Sequence, residues 1–455
     1  MPRNQRSTMD TALKQTLKDA GIKFVRILWC DNANVIRAKA AHINYLEEYL
    51  ANGVGITVAQ QALPVMYDAV VPQSGLVPVG EVRLMPDCSS LTILPYAEGH
   101  AHVLSDMVVP ATGEVWEQCP RGFLRRQIQD LAQKGLSLQA AFENEFFLLR
   151  RPAEEALVPA DDTVFAATGS MNQHRAFVNE LADALNAQGV AVEAYYPESG
   201  PGQQEMTYRY TEALRAADQQ ILYRETVRGV APRHGMIASF LPKIVEDKAG
   251  SGCHLNFSLW RDGENISGDP QHANGISREA GAFVAGVLDH LPALAAITIP
   301  SKTSYRRIRP HFWAGAFRAW GYENREAAVR VSRNSKGTRA SRFEFKTADA
   351  TANPYLALGA LIAAGLDGLQ RNLPLPEEVT VDPALIPEAE RQARGIDLLP
   401  QSLGAALDAL RKDEVLLEAL GKALARSYVA VRQCEWDALK DLTLEQEVAL
   451  LAERY

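Results

Sequence analysis

Apolar and polar positions alternate in two rhythms along the chain, and the balance between them changes shortly after residue 110. Residues 9–20 repeat with a helical period and predict a short amphipathic helix, so that 1–20 form an N-terminal helical segment. The run "IKFVRILWCD" is β-rich and closes on "DNAN"; further strands are predicted at 81–86 and in "SLTILPY" (90–96), with "HVLSDM" after them. A strand-dominated domain over 21–112 is therefore expected. The stretch "PATGEVWEQCPR" supplies Pro110, Gly113 and Pro120, a turn-rich connection, and a helical pattern runs from about Gly122 to Lys134. From 135 onward strands and helices interleave. The strand "LQAAFENEFFLL" is followed by a helix at 172–188, "VAVEAYYPESG", a helix at 211–231, then "GMIASFLPKIV" and "GCHLNFSLW". Helices at 277–291 and 353–371 and a helical tail from 401 complete a second domain, 113–455, of α/β or α+β type. "NLPLPEEVTVDPALIPEAE" reads as a Pro- and Glu-rich surface loop.

Composition narrows the class without naming a function. A chain of 455 residues with 47% hydrophobic and 22% charged residues has the make-up of an ordinary globular protein of two or three domains. The formal net charge of -8, with no long basic run, argues against a nucleic-acid partner. Five scattered cysteines without a C-x-x-C pair fit a reducing compartment. "MPRNQRSTMDTALKQ" has no apolar core of a signal sequence, and no apolar stretch reaches bilayer length, so a cytoplasmic protein without membrane contact is expected.

The chemistry begins with "FENEFFLL". Alternate residues of a strand project to one face, so Glu143 and Glu145 point together while Phe142, Asn144 and Phe146 point away. Two like charges on a half-buried surface repel and lose hydration, which asks for a cation between them; a solvated acidic edge strand is the alternative. A second pair, Glu198 and Glu205, flanks a Gly-Pro-Gly turn in "YYPESGPGQQEMTY" that folds the chain back on itself, although surface turns with two acids are common. His254 follows the small-residue loop "AGSG" at the head of an apolar strand, where a lone histidine is more often structural than a ligand. Glu344 sits between Phe343 and Phe345 and has Arg342 and Lys346 as potential ion-pair partners. Five carboxylates and one histidine on separate strands make six hard ligands, enough for two divalent cations. Between His254 and Glu344 run Arg306, Arg307, Arg309, Arg325 and Arg330, whose forks suit carboxylate and phosphate oxygens. Metals beside arginines are the parts of phosphoryl transfer, yet neither a G-x-x-x-x-G-K-[ST] nor a G-x-G-x-x-G loop occurs.

The blocks "FENEFFLL", "ESGPGQQE", "LPK…AGSGCH", "PSKTSYRRIRP", "AWGYENREAAVR" and "RFEFKTADATANPYLALGALIAAGLDGL" stand in an order that resembles the glutamine synthetase family over nearly the whole chain. The resemblance implies an α+β protein: an N-terminal β-grasp domain and a catalytic domain built on a split antiparallel barrel with helices. Adjacent subunits would share active sites in a homo-oligomer, a dodecamer of two hexameric rings. It further implies that Glu145, Glu198 and Glu205 hold a Mg²⁺ or Mn²⁺ ion facing glutamate, and that Glu143, His254 and Glu344 hold one facing the ATP phosphates. Gly250, Arg307 and Arg325 would contact glutamate or its γ-phosphate, and Ser258, Arg330 and Arg342 the nucleotide.

The departures from the family pattern concern the amine. Ammonia-using members resemble one another in a D-G-S-S stretch, but this chain reads "GITVAQQALPVMYDAVVPQSG", where Asp68 is the nearby acid and the candidate for amine deprotonation. The flap glutamate of a P-G-Y-E-A-P pattern is replaced by Trp313, which cannot carry charge or accept a proton; it becomes a candidate for substrate binding. Ala249 replaces an asparagine, and Lys346 replaces a late arginine, keeping the charge beside the substrate without the fork. No counterpart of the adenylylation tyrosine segment of some bacterial relatives appears near 373–380. With all six ligands kept and the ammonium-handling acids lost, the resemblance points to a glutamate–amine ligase making γ-glutamylamides from glutamate and a small organic amine. A true glutamine synthetase and a non-catalytic structural or regulatory member are the alternatives.

Overall fold

The computed structural model describes residues 13–152 and 156–455. Of the expected N-terminal helix, 13–19 are helical, and the part before 13 lies outside the described residues. Six strands form the first sheet: β1 (Phe24–Cys30), β2 (Ile36–His42), β3 (Val54–Thr57), β4 (Glu81–Pro86), β5 (Thr92–Ile93) and β6 (His100–Val108). Their order is β2-β1-β6-β4-β3 with β5 beside β6, and β1 with β6 is the parallel pair. In β4 the positions alternate, with Val82, Leu84 and Pro86 buried and Glu81 exposed, so one face has to be covered. Part of that cover comes from the far end of the chain: Val431, Leu439, Leu451 and Tyr455 join Val25, Ile27, Leu46 and Leu84 in one apolar cluster. The strand expected at 90–96 shrinks to β5: a helical turn over Cys88–Ser90, capped by the Asp87 side chain, takes its start, and a turn containing Pro95, in which the Ala97 N–H donates to the Leu94 carbonyl, takes its end.

Eleven strands make the second sheet, a nearly closed, barrel-like layer. They are β7 (Ser137–Arg150), β8 (Val158–Pro159), β9 (Val192–Pro197), β10 (Gln203–Tyr208), β11 (Thr211–Glu212), β12 (Ile237–Ser239), β13 (Cys253–Arg261), β14 (Glu264–Asn265), β15 (Phe317–Tyr322), β16 (Ala327–Arg333) and β17 (Ala340–Phe345). The main path runs β15-β16-β17-β13-β7-β10-β9. It is antiparallel except for β15 with β16. The 14-residue β7 is the spine, with β13 hydrogen-bonded along one edge and β10 along the other. β12 ends well short of the "GMIASFLPKIV" segment, stopping ahead of Pro242, which has no N–H to give a ladder.

Helices Pro120–Gln133, Arg278–Asp289 and Pro354–Arg371 pack outside this sheet; the last is buried around most of its circumference, as a core helix must be. No single described helix is long and apolar enough to cross a bilayer. Helices Arg278–Asp289 and Pro354–Arg371 meet at glycines. A Cβ on Gly286 would lie 2.2 Å from the Ala364 carbonyl oxygen, and one on Gly368 2.1 Å from that of Ala282.

Buried polar contacts join the two sheets into one body. Arg121, 3% exposed, donates to both Asp218 oxygens at 3.0 and 2.8 Å, to Asp106 at 3.0 Å and to Asp87 at 2.8 Å. In the "DNAN" turn Asn34 adopts φ 64°, which asparagine tolerates better than most residues. Its amide donates to the Ala350 carbonyl at 2.8 Å and accepts from Arg224 at 2.9 Å.

The helix crossing yields a test with an internal control. Gly286→Ala should lower stability to urea by about 1–3 kcal/mol, because backbone must move to admit one methyl group. Gly281→Ala lies in the same helix, where the nearest atom to an added Cβ is Leu375 Cβ at 3.6 Å. That change should be neutral or stabilising by up to about 1 kcal/mol. Equal effects of the two substitutions would overturn the close-crossing argument.

Candidate active site

The register of β7 with its neighbours assembles the acidic residues. Glu143 stands opposite His254 of β13, and Glu145 opposite Glu205 of β10. Asn256 stands opposite Glu344 of β17, which is in turn opposite Arg330 of β16. Partners directly across a ladder share a face, so these side chains converge on one surface although they come from distant parts of the chain. Glu198 arrives differently: the chain turns at 200–202, and its N–H donates to the Gln203 carbonyl at 2.9 Å, closing the loop between β9 and β10. Together Glu143, Glu145, Glu198, Glu205, His254 and Glu344 line a cavity of ≈ 510 Å³.

The cluster divides into two neighbouring sets. Ligand atoms of Glu143, His254 and Glu344 all lie within 4.8 Å of one another. His254 Nδ1 is 3.4 Å from Glu143 and 3.2 Å from Glu344, while Nε2 faces Glu145 at 3.9 Å and is buried without a hydrogen-bond partner among the described residues. Gly252 permits this packing, since a Cβ there would lie 2.6 Å from His254 Nε2. One oxygen of Glu145 accepts from Gln203 Nε2 at 2.7 Å and from the Gly252 N–H at 3.0 Å. Tyr196 donates to Glu205 at 2.5 Å.

Electrostatics separates the sets further. Burial, then Glu145, pushes Glu198 up to about 7, and burial, then Glu143 and Glu145, holds Glu205 well above its ordinary value. Around Glu344 burial is outweighed by Lys346, His254 and Arg330, so that carboxylate is held well below the usual range. For Glu143 burial is likewise outweighed, here by His254, and its carboxyl also lies low. Lys346 Nζ is 3.2 Å from Glu344, and Arg330 pairs with the other Glu344 oxygen, a partner that its neighbours in sequence do not reveal. A buried group of oxygens that repel one another, with an unpartnered imidazole nitrogen among them, fits hard divalent cations. Glu143, His254 and Glu344 would hold one, and Glu145, Glu198 and Glu205 another.

Of the other residues expected from the sequence, Gly250, Arg307, Arg325, Trp313 and Lys346 also line the cavity. Arg307 is buried and donates to the Ala348 carbonyl at 2.8 Å, and a Cβ on Gly250 would lie 2.3 Å from the Pro242 carbonyl oxygen. Trp313 is 59% exposed, and the Arg325 guanidinium lies 5.8 Å from its ring centre. Ser258, Arg330 and Arg342 do not line the cavity. Ser258 and Arg342 continue the same sheet face one ladder step on, Arg342 donating to Asn256 at 3.1 Å and Asn256 to Glu143 at 3.0 Å. Asp68 lies outside the cavity altogether, in the exposed loop between β3 and β4, where it meets Arg37 at 3.3 Å. Sequence reasoning missed Gln203, Tyr196, Phe165 and Phe312. Gln203 and Tyr196 were within reach of it, since Gln203 shares the period-two face of Glu205 and Tyr196 stands opposite Glu205 in the β9–β10 ladder; Phe165 and Phe312 carry no such signal.

This architecture is a known one. The glutamine synthetase catalytic-domain family matches residues 117–451, and the glutamine synthetase N-terminal-domain family matches 12–116. The chain is 40% identical over 443 residues to a gamma-glutamylpolyamine synthetase of Streptomyces coelicolor, covering 95% of this chain and 93% of that protein. It is 33% identical to a glutamine synthetase of Methanocaldococcus jannaschii, covering 98% of each. Among solved structures it is similar to a glutamine synthase homolog at TM-score 0.84 and 32% identity, covering 95% of this chain and 99% of that one. It is also similar to a GmaS–ADP complex at TM-score 0.83 and 28% identity, covering 96% and 98%. The chain belongs to the glutamine synthetase family, and it is an ATP-dependent ligase.

Raised carboxyl groups must lose protons when a cation binds, so metal and pH are linked. The rise in melting temperature produced by Mn²⁺ should grow between pH 6 and pH 8, as Glu198 passes its value of about 7. Glu205→Gln should lose most of that rise while leaving the metal-free protein as stable or more so, because one of the mutually repelling charges is gone. A Mn²⁺ effect of the same size at both pH values, or in the variant, would remove these residues from a metal site.

Proposed function

We propose that the protein joins the γ-carboxylate of glutamate to an organic amine, using ATP and passing through γ-glutamyl phosphate. The observation that carries the reading is Trp313, an indole on the cavity wall where ammonia-using relatives resemble one another in an acid. An indole cannot accept a proton from ammonium, but it offers an apolar face to a carbon substituent. Phe165, Tyr196 and Phe312 line the same cavity, and the 40% identical relative named for polyamines supports an aliphatic amine.

In this reading the terminal phosphoryl group leaves ATP for a γ-carboxylate oxygen and ADP departs. The amine nitrogen then attacks the acyl carbon, phosphate leaves with the bonding pair, and the nitrogen loses one proton. Divalent cations, Mg²⁺ or Mn²⁺, supply charge neutralisation to the phosphates when bound. Arg307 and Arg325 hold carboxylate or phosphoryl oxygens in their forks, with Gly250 leaving room for the close approach and Lys346 adding positive charge. Ser258 and Arg342 lie toward the nucleotide, and Arg330 acts there through its pairing with Glu344. Asp68, exposed and outside its own cavity, would on this reading serve the site of a neighbouring subunit. A dodecamer of two rings sharing sites, in the cytoplasm, is the corresponding assembly.

An assay of phosphate release with glutamate against ammonia, alkylamines, ethanolamine, polyamines and aryl amines tests the reading. Two methylenes buried against the indole contribute about 1.6 kcal/mol, a preference of about tenfold for an organic amine over ammonia. Trp313→Glu should erase that preference. Equal or better efficiency of the wild type with ammonia would make the protein a glutamine synthetase. Arg325→Lys and Arg307→Lys should each raise the glutamate KM or lower turnover by about tenfold or more, since an ammonium cannot replace a two-pronged contact. Unchanged kinetics in both would exclude them from the site. Sedimentation should find a particle of about twelve subunits, and an active monomer would refute the shared-site assembly.

A further inference from the structure

We propose that Glu326 is a positioning residue: its buried carboxylate holds the His311–Trp313 turn in place as the wall of the amine site. The inference rests on the ligase reading above. The turn needs an external hold, because His311 and Trp313 have φ values of 66° and 54° and neither is glycine. Left-handed backbone at a bulky residue is disfavoured and persists where surrounding contacts impose it.

Glu326 supplies the contact. It is 7% exposed, and its Oε1 accepts the Trp313 N–H at 3.0 Å. Its Oε2 is buried and meets no donor at ordinary hydrogen-bond geometry among the described residues, while the His311 backbone N–H faces the same carboxylate, so both left-handed ends of the turn are directed at this one acid. A buried carboxylate with one oxygen unmet costs stability, and that cost is retained here at the foot of a cavity wall. The charged neighbours are His311 and Asp382, which bond to each other at 2.8 Å on the outer side of the turn. The residue before it, Arg325, lies against the indole of the same Trp313. Asn324 ties this second turn to the 373–387 loop through the carbonyls of Val379 and Val381, at 2.7 and 3.0 Å. Two adjacent residues thus hold one tryptophan, Glu326 by its backbone and Arg325 by its ring.

The consequence is selective. The hold bears first on the amine wall, reaches the phosphoryl side through the Arg325–indole contact alone, and does not touch the cation cluster or Arg307, so its loss should weaken amine binding far more than phosphorylation of glutamate. The test compares wild type, Glu326→Ala and Glu326→Gln with the preferred amine and with hydroxylamine, a small nucleophile that needs no substituent pocket. Glu326→Ala should raise the amine KM about tenfold while keeping the glutamate KM and the hydroxylamine turnover within about twofold. Glu326→Gln, whose amide oxygen still accepts from the Trp313 N–H, should bring the amine KM back to within about threefold of wild type. An unchanged amine KM in the alanine variant, an equal loss with hydroxylamine, or a glutamine variant as poor as alanine would each overturn the proposal. If the wild type prefers ammonia, the organic-amine reading falls and the comparison is made on the ammonia KM. A tenfold rise there in the alanine variant upholds the positioning role, and no rise overturns it.

Discussion

Repulsion among five carboxylates, four on one sheet face and Glu198 on the loop beside it, is the constraint around which the rest of this molecule is arranged. Water would hydrate those charges cheaply, and burial withdraws that hydration. The protein compensates unevenly. Glu344 and Glu143 are offset by Lys346, Arg330 and His254, while Glu198 and Glu205 sit among like charges with little beside them. That asymmetry leaves one part of the cavity electrostatically settled and the other in want of a cation, a graded field suited to bringing phosphate and carboxylate oxygens together.

Holding repelling groups in register requires a stiff frame, and β7 provides it by being laddered on both edges. The frame extends beyond the sheet. The segment after β17 accepts from Cys253 N–H and Arg307 through Ala348 and from Asn34 through Ala350. The first domain therefore braces, through one short stretch of backbone, the same segment that orients an arginine of the cavity. Arg121 adds a second brace, a buried cation shared by three acids from both parts of the chain. A pairing of this kind adds little net stability but is expensive to break, so it favours one relative placement of the parts over others.

The aromatic wall of the cavity is built on other terms. Apart from Tyr196 of β9 it consists of turns, with left-handed residues at His311, Trp313 and Glu323. Turns of this sort tolerate replacement better than a ladder does, since no register is lost when one side chain changes. A side chain of the wall can therefore change without disturbing the register that assembles the acidic cluster.

Much of the acidic cluster was legible in the sequence, because a strand's period of two puts Glu143 and Glu145 on one face whatever surrounds them. The Gly-Pro-Gly turn announced the return of Glu205 toward Glu198, and the order of the motif blocks carried the family and hence the fold. Most of the aromatic wall was not legible: although Tyr196 stands on β9 opposite Glu205 and was open to the same period-two reading, Phe165 and Phe312 belong to no repeating pattern, and their proximity to Trp313 depends on how separate loops pack. The same holds for Glu326, which reads as one more charged residue after an arginine until the backbone of Trp313 is found upon it. The sequence by itself determined which side chains share a face, since that follows from local geometry over a few residues. Only the tertiary structure decided that Glu344 pairs with Arg330, that Asp68 stands away from its own cavity and that a buried acid underlies the tryptophan. Those are contacts between distant segments, set by the packing of whole layers and by no local rule.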